Sequence, residues 1–450
     1  MKYIRLLSRI IVGLVFIFSG FVKALDPLGS AYKFSDYFTA FKLGFLDFLS
    51  LPLGIFLSAF ELVLGIILIL GYRRKITFKV LLWFVSFFTL LTLILALFNP
   101  VTDCGCFGDA LILTNWETFF KNVILMVFVL ILYFGRNSGT FHGRDLREWV
   151  IVVSLFAMAS LFSFWNYRHL PLIDFRPYDV GTVIKDEMEI PEGVPVDEYR
   201  TTLIYRNTDT GKTSTFTMED YPKDTVHWEF VTSESKLVKR GYEPPIHDFA
   251  IMDQSGSDIV NEILSDPGYS LILITNNLGK AEQSALVNAR EWSQLEIVAS
   301  DFSFYAVTAS PSAEVESISS ELALGYRFMA GDEIMLKTII RSNPGFVLLK
   351  DGIILGKWGW RDFPTLEQLD PQWSELIGNA SAPLDEEQQI LQDAGVYDDF
   401  SFEVVEFDHF LPALLLNQGA DKREKSVALA FILALMVIIL LSGRISPVKV

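Results

Sequence analysis

The sequence predicts an α-helical membrane bundle, a four-helix core plus two further transmembrane helices, joined to an α/β extramembrane domain. Three observations predict this class. Apolar residues make up 51% of the 450 residues, and the mean hydropathy is +0.36 although the formal net charge is −17; soluble domains rarely combine these features. Apolar runs long enough to span a bilayer crowd the first 166 residues and recur once near the C-terminus. Charge is partitioned: residues 1–166 carry 14 basic and 9 acidic side chains, whereas residues 167–420 carry 18 and 43.

A hydrocarbon core of roughly 30 Å takes about 20 apolar residues in a helix. Residues 6–22 form the first such run. Lys2 and Arg5 precede it, as in a signal peptide, but no small-x-small cleavage site follows, so it reads as a retained helix. Residues 45–70, 78–97 and 116–134 complete a four-helix core, 149–165 form a fifth span and 427–441 a sixth. The loops "GYRRKITFK" and "GRNSGTFHGRDLRE" are basic, whereas "NPVTDCGCFGDALILTNWET" has acids and no Lys or Arg. The positive-inside rule then puts the basic loops and both termini in the cytoplasm, and the cysteine loop and the acidic domain in the periplasm of a bacterial inner membrane. The stretch "DKREK" (421–425) runs against the rule, beside a long translocated domain where the rule is weak. The acidic domain lacks the basic surface that nucleic acid requires.

The chain has two cysteines, Cys104 and Cys106, both in the third loop. On the oxidising side of a membrane such a pair forms a disulfide or dithiol. A bridge from i to i+2 closes a very small ring, which Gly105 makes feasible, and a strained, exposed bridge is easily reduced. The competing reading is a structural clip or two inert thiols, although a clip across one residue constrains almost no chain entropy. Metal binding is a third reading: two thiolates fill half a zinc shell, and Asp103 and Asp109 would have to supply oxygens, since the loop has no His.

Glu61 lies well inside the second span, where carboxylates face the bundle interior or a proton path unless they reach the interface. Lys23 and Asp26, in "SGFVKALDP", are three apart at the outer end of the first helix. They form an ion pair if the helix continues; otherwise the Lys snorkels and the Asp is solvated.

"IIVGLVFIFSGFVKALDP", "FELVLGIILILG" and "DCGCFGD" with "NWETFFKN" opening the next helix resemble the DoxX/MauE group over residues 1–135. The resemblance implies a four-helix membrane protein. MauE-like members are associated with methylamine utilisation and with disulfide formation in a periplasmic dehydrogenase, DoxX-like members with quinol-oxidising complexes. The family's cysteine pair corresponds to Cys104 and Cys106. The chain departs from the group in its fifth helix, outer domain and sixth helix.

The outer domain opens β-rich: "TTLIYRNTDTGKTSTFTM" reads as two strands about a turn. From Ile246 strands and helices alternate. "HDFAIMDQSG" reads as a hairpin, "DIVNEILSD" as a short helix, "YSLILIT" as a buried strand, and "KAEQSALVNAREWSQL" as a helix. "FYAVTAS" is the next strand and "SAEVESISSELAL" the next helix, and the series closes on a helix, a Pro and a hairpin at Asp351-Gly352. This order resembles a thioredoxin-like domain of the membrane-anchored TlpA type, with Asn343-Pro344 at the family's cis-proline position. Where that family carries C-x-x-C this chain reads "TNNLGKAE" (275–282), so the domain is expected to bind or dock rather than exchange thiols.

The expected domains are 1–138 (four-helix core), 139–173 (fifth helix and linker), 174–245 (β-rich), 246–370 (thioredoxin-like), 371–425 (acidic linker) and 426–450 (last helix and tail). No Walker loop, dinucleotide fingerprint, zinc-protease helix or nucleophile elbow occurs, and the five His lie outside the four-helix core, away from a haem position. Two functions stand side by side. One is a thiol-disulfide redox component working through Cys104 and Cys106, with a periplasmic thiol protein as partner and a quinone as candidate electron acceptor. The other is a membrane-anchored binding or assembly module with a structural cysteine pair. A single pair counts against autonomous oxidase activity, since disulfide-oxidising membrane relays use two.

Overall fold

The structure is a computed structural model that describes residues 2–135, 146–195, 198–239, 241–297, 299–369, 407, 411, 414 and 415. The sixth span, most of the fourth loop and nearly all of the acidic linker lie outside the described residues.

Among the described residues, five helices are long and apolar enough to cross a membrane, by length and composition. They are α1 (Lys2–Leu25), α3 (Ser50–Leu70), α4 (Arg74–Phe98), α5 (Asn115–Phe134) and α6 (Leu146–Arg168), with a shorter α2 (Pro27–Ala40) between the first two. The chain is a multi-pass membrane protein. Trp83, Leu90 and Phe98 on α4 and Val127 on α5 are more than half exposed, as suits side chains facing acyl chains. Lipid is as apolar as Leu, so close packing rather than hydrophobic burial drives helix association there. Small residues provide that packing: a Cβ on Gly20 would lie 2.7 Å from the Ser58 carbonyl, and one on Gly65 2.7 Å from that of Gly13. The backbones of α1 and α3 therefore touch.

The sequence reading has no counterpart of α2, which is too polar and short for a span. Its start is nevertheless encoded: Pro27 occupies the first turn, and the Asp26 carboxylate caps it by accepting from the Gly29 amide at 2.8 Å.

Residues 182–249 form a compact unit of their own. After α7 (Ile184–Met188), β1 (Glu198–Asn207) pairs antiparallel with β2 (Thr213–Thr217) and β3 (Trp228–Lys239), in the order β2-β1-β3. The β1–β2 turn closes on Asn207, whose carboxamide oxygen accepts from the Thr210 amide at 2.9 Å. Tyr205, Phe216, Trp228 and Phe230 make edge-to-face contacts across one face.

The α/β domain contains β4 (Ile251–Met252), α8 (Val260–Leu264), β5 (Tyr269–Thr275), α9 (Gln283–Gln294), β6 (Phe302–Thr308), α10 (Ser312–Leu322), β7 (Phe328–Gly331), α11 (Glu333–Ile339), β8 (Gly345–Lys350), β9 (Ile353–Gly359) and α12 (Leu366–Leu369). Its six-stranded sheet runs β4-β7-β6-β5-β8-β9. Strands β5, β6 and β7 are parallel; β8 runs antiparallel to β5, β9 to β8 and β4 to β7. The Asn343–Pro344 peptide, immediately before β8, is cis. This is a thioredoxin-like arrangement. Every residue of β5 is buried, as a central strand covered on both faces requires. The expected hairpin at 247–256 is reduced to a single bridge, Met252 to Asp258. The Asp253 carboxylate accepts from the Ser255 and Ser257 amides and closes the turn at once, and the short β4 pairs with β7 instead. Inside the segment read as linker, Phe407 packs against Tyr269 and Phe302 with ring centres 5.0 and 4.7 Å away.

Candidate functional site

The cysteine loop is clipped at both ends. Helix α4 stops at Asn99, whose left-handed backbone (φ 47°) turns the chain. Helix α5 starts under a Thr114–Glu117 capping box. Between them, the Asn115 side chain donates to the Asn99 side-chain oxygen and the Val101 carbonyl, both at 2.8 Å. Within the loop Gly105 has φ +63°, and its amide donates to Asp103 at 2.9 Å. That turn puts the Cys104 and Cys106 side chains together as free thiols with sulfurs 3.0 Å apart.

Four groups from elsewhere hold the loop. Lys33 of α2 pairs with Asp103 at 2.6 Å, and Tyr37 of α2 donates to the Cys104 carbonyl at 2.8 Å. The Ser19 hydroxyl of α1 lies 2.7 Å from the Cys106 carbonyl. Arg341, between α11 and β8, pairs with Asp109 at 2.7 Å. Phe107 is buried under the Lys121 ammonium, which sits 4.4 Å from its ring centre.

The two thiols are not equivalent. The hydrogen bond between them is the largest influence on each, raising Cys104 and lowering Cys106. Burial and the Cys106 charge add to the rise at Cys104. At Cys106 that hydrogen bond, joined by the Lys121 and Lys23 ammoniums, prevails over burial, and its pKa falls to about 6. Burial likewise raises the Tyr37 phenol.

Both cysteines line a cavity of about 240 Å³ whose other walls are largely aromatic: Phe16, Phe34, Tyr37, Phe38, Phe84, Phe87 and Phe88. Its polar lining includes Ser19, Lys23, Lys33, Glu61, Lys121 and Asn122. Lys23 and Glu61 are only 6% and 5% exposed, and the Lys23 ammonium lies 2.7 and 2.9 Å from the two carboxylate oxygens. Ser19 is 2.7 Å from Glu61 as well as from the Cys106 carbonyl. A hydroxyl carries one proton, so it serves one of these acceptors at a time. Lys121 has no carboxylate partner among the described residues.

Of the residues singled out from sequence, Cys104, Cys106, Asp103, Lys23 and Glu61 come together here. The Lys23–Asp26 pair does not form. Because α1 and α3 touch at Gly20, Lys23 turns to Glu61, while Asp26 caps α2 and binds Arg341 at 2.8 Å. Asp103 and Asp109 are engaged by cations, and no group of three or more His, Cys, Asp or Glu able to hold a metal occurs among the described residues. The 275–282 turn closes on itself: the Asn277 side chain accepts from the Lys280 amide at 2.9 Å, and the Asn343 side chain donates to the Asn277 carbonyl at 2.7 Å. Sequence reasoning gave no role to Lys33, Tyr37, Lys121 or Arg341. The one signal was "YKFSDYF" after Asp-Pro, which sets Lys33 and Tyr37 four apart on one helix face.

Residues 1–135 match the family described as methylamine utilisation protein MauE, and residues 199–240 match a domain of unknown function. Protein TlpB of Flavobacterium psychrophilum is 26% identical over 167 residues, 36% of this chain and 44% of that protein, so the chain spans under half the length of this curated relative. Among solved structures, the solution structure of a "putative protein disulfide isomerase" from Bacteroides thetaiotaomicron overlaps 33% of this chain and 91% of its own at 12% identity, with a TM-score of 0.23. That overlap is too loose to define a fold.

Proposed function

We propose that this protein is a membrane thiol-disulfide component in which the Cys104–Cys106 dithiol is oxidised by a quinone held in the aromatic cavity. An extramembrane thiol protein reduces the pair again. The observation that carries this reading is the shared cavity: an acidified thiol, its partner thiol and two buried or half-buried lysines open onto aromatic walls. Flat aromatic walls suit a quinoid ring, and ammonium groups suit its carbonyl oxygens. The match to the MauE family supports a membrane redox role.

The acceptor supplies a two-electron sink. Cys106 enters as the thiolate, with Lys121 and Lys23 as counter-charges, and gives up its electrons towards the cavity. The Cys104 sulfur then bonds to the Cys106 sulfur, and its proton leaves. Overall one dithiol gives one disulfide, and two electrons and two protons pass to the quinone, which becomes a quinol. Lys23 and Glu61 are positioned to carry those protons along the cavity wall. Two thiols of the partner protein restore the dithiol and leave with its disulfide. In this reading the cysteine loop faces the periplasm of a bacterial inner membrane, as its lack of Lys and Arg favours. The clip reading is weaker, because a ring closed across one residue stabilises little.

Alkylation mass-shift of Cys104 and Cys106 in isolated membranes tests the proposal. The pair is expected to be mostly oxidised when quinone is present and mostly reduced in quinone-depleted membranes, with oxidation returning on quinone addition. A pair whose state ignores quinone, with a Cys104→Ser variant that unfolds outright, would support the structural reading.

A further inference from the structure

The α/β domain has no cysteine, yet it reaches the dithiol loop through one side chain. Arg341 is 7% exposed and binds two carboxylates from two parts of the membrane domain: Asp26 at 2.8 Å, at the α1–α2 junction, and Asp109 at 2.7 Å, in the cysteine loop. Its guanidinium also lies 5.3 Å from the Tyr32 ring centre on α2, and the neighbouring Lys337 ammonium lies 4.7 Å from the same ring. The segment presenting Arg341 is itself fixed. Arg176, beyond α6, donates to the Thr338 carbonyl at 2.8 Å while paired with Asp174 at 2.7 Å. The Arg341 guanidinium donates back to the Lys337 carbonyl, and Asn343 holds the Asn277 turn.

We propose that the cysteine-free α/β domain is a fixed cap on the dithiol site, with Arg341 as a positioning residue that holds the cysteine loop against the cavity through Asp109. Hydrophobic side chains of similar volume dock surfaces about as well as a buried ion pair, so a buried cation between two carboxylates serves orientation better than adhesion. A guanidinium suits that task, because its planar fork reaches both acids at once. Three holders of the loop come from α1 and α2, and Arg341 adds the fourth. Release of Asp109 frees the end of the loop next to Phe107 and takes the Cys106 sulfur away from Lys121 and Lys23. The inference rests on the redox reading of Cys104 and Cys106, but it assigns the α/β domain a task other than thiol exchange.

The test uses the full-length protein in detergent, equilibrated with glutathione buffers and read by alkylation mass-shift, beside Arg341→Met, Asp109→Asn, the double variant and Arg341→Lys. Arg341→Met and Asp109→Asn are each expected to shift the dithiol/disulfide ratio towards the disulfide by about threefold or more, because the released loop carries the Cys106 thiolate away from the Lys121 and Lys23 ammoniums. The double variant should shift no further than Arg341→Met alone, since the two residues share one contact, and Arg341→Lys should recover part of the shift. Folded variants with the wild-type ratio, or shifts that simply multiply in the double variant, would overturn the cap. If Arg341→Met does not fold, Asp109→Asn decides the matter, because Arg341 then keeps Asp26. Failure of quinone to oxidise the wild-type protein would remove the redox reading, while the glutathione ratio would still report on Arg341.

Discussion

Cys104 and Cys106 are one residue apart and chemically opposite. Cys104 is held up by its hydrogen bond to Cys106 and by burial, so it stays protonated through neutral pH; Cys106 is brought down to about 6 by that bond and by Lys121 and Lys23. The Cys106 thiolate is therefore present above about pH 6 and lost as pH falls below it, and dithiol oxidation should slow in the same window. Iodoacetamide at pH 7 is expected to modify Cys106 well before Cys104, read by peptide mapping. In Cys104→Ala the labelling midpoint of Cys106 should move upward, because the thiol that donates to its sulfur is gone. Equal labelling of both cysteines would contradict the unequal pair. Glu61→Gln leaves the Lys23 ammonium buried without its counter-charge, a loss of about 3–5 kcal/mol when one partner of a buried pair is removed. A lower melting temperature in detergent should report it, and Lys23→Met with Glu61→Leu should recover much of the stability without the redox rate. The cysteines and Glu61 were legible from sequence because thiols and a mid-span carboxylate are chemically out of place there. Lys121 was not, because a lysine in the first turns of a membrane helix ordinarily snorkels.

At the scale of elements, the site depends on contacts that leave weak marks in sequence. Lys23 reaches Glu61 only because α1 and α3 touch at Gly20, where an added Cβ would lie 2.7 Å from the Ser58 carbonyl. Gly20→Val should push the helices apart, lower stability by about 1–3 kcal/mol and slow dithiol oxidation; a melting curve and oxidation rate equal to wild type would contradict the packing account. Apolar length made the spans legible, the alternation of strands and helices made the α/β domain legible, and the thioredoxin-like resemblance implied the cis peptide at Asn343–Pro344. Helix α2 was missed because its pattern is neither apolar enough for a span nor long enough to stand out, and it carries Lys33 and Tyr37. Strand β7 was missed because four residues, Phe328–Gly331, give no period to read. The 275–282 turn is closed by the Asn277 and Asn343 side chains and holds no sulfur, so Asn276→Ala is expected to leave the oxidation rate of the dithiol unchanged. Loss of oxidation in a correctly inserted Asn276→Ala protein would reassign that turn.

Across the whole molecule, the ion pair from Arg341 to Asp109 joins residues 232 apart in sequence, a pairing no local pattern encodes. What the sequence does encode at this scale is charge: the acidic domain is segregated from a basic membrane part, and the positive-inside rule applied to the basic "GYRRKITFK" loop predicts the domain on the opposite side of the membrane. Protease added to intact spheroplasts should remove the domain at 182–249 and spare that loop, whereas full protection of the domain would reverse the orientation. The most direct test of the central claim uses purified protein, reduced and freed of reductant, mixed anaerobically with a short-tail ubiquinone while quinol absorbance and Cys104–Cys106 alkylation are followed together. The expected result is one quinol formed for each disulfide, with none from Cys106→Ser. Disulfide formation without quinol, or quinol formed equally by Cys106→Ser, would contradict a dithiol that passes its electrons into the cavity.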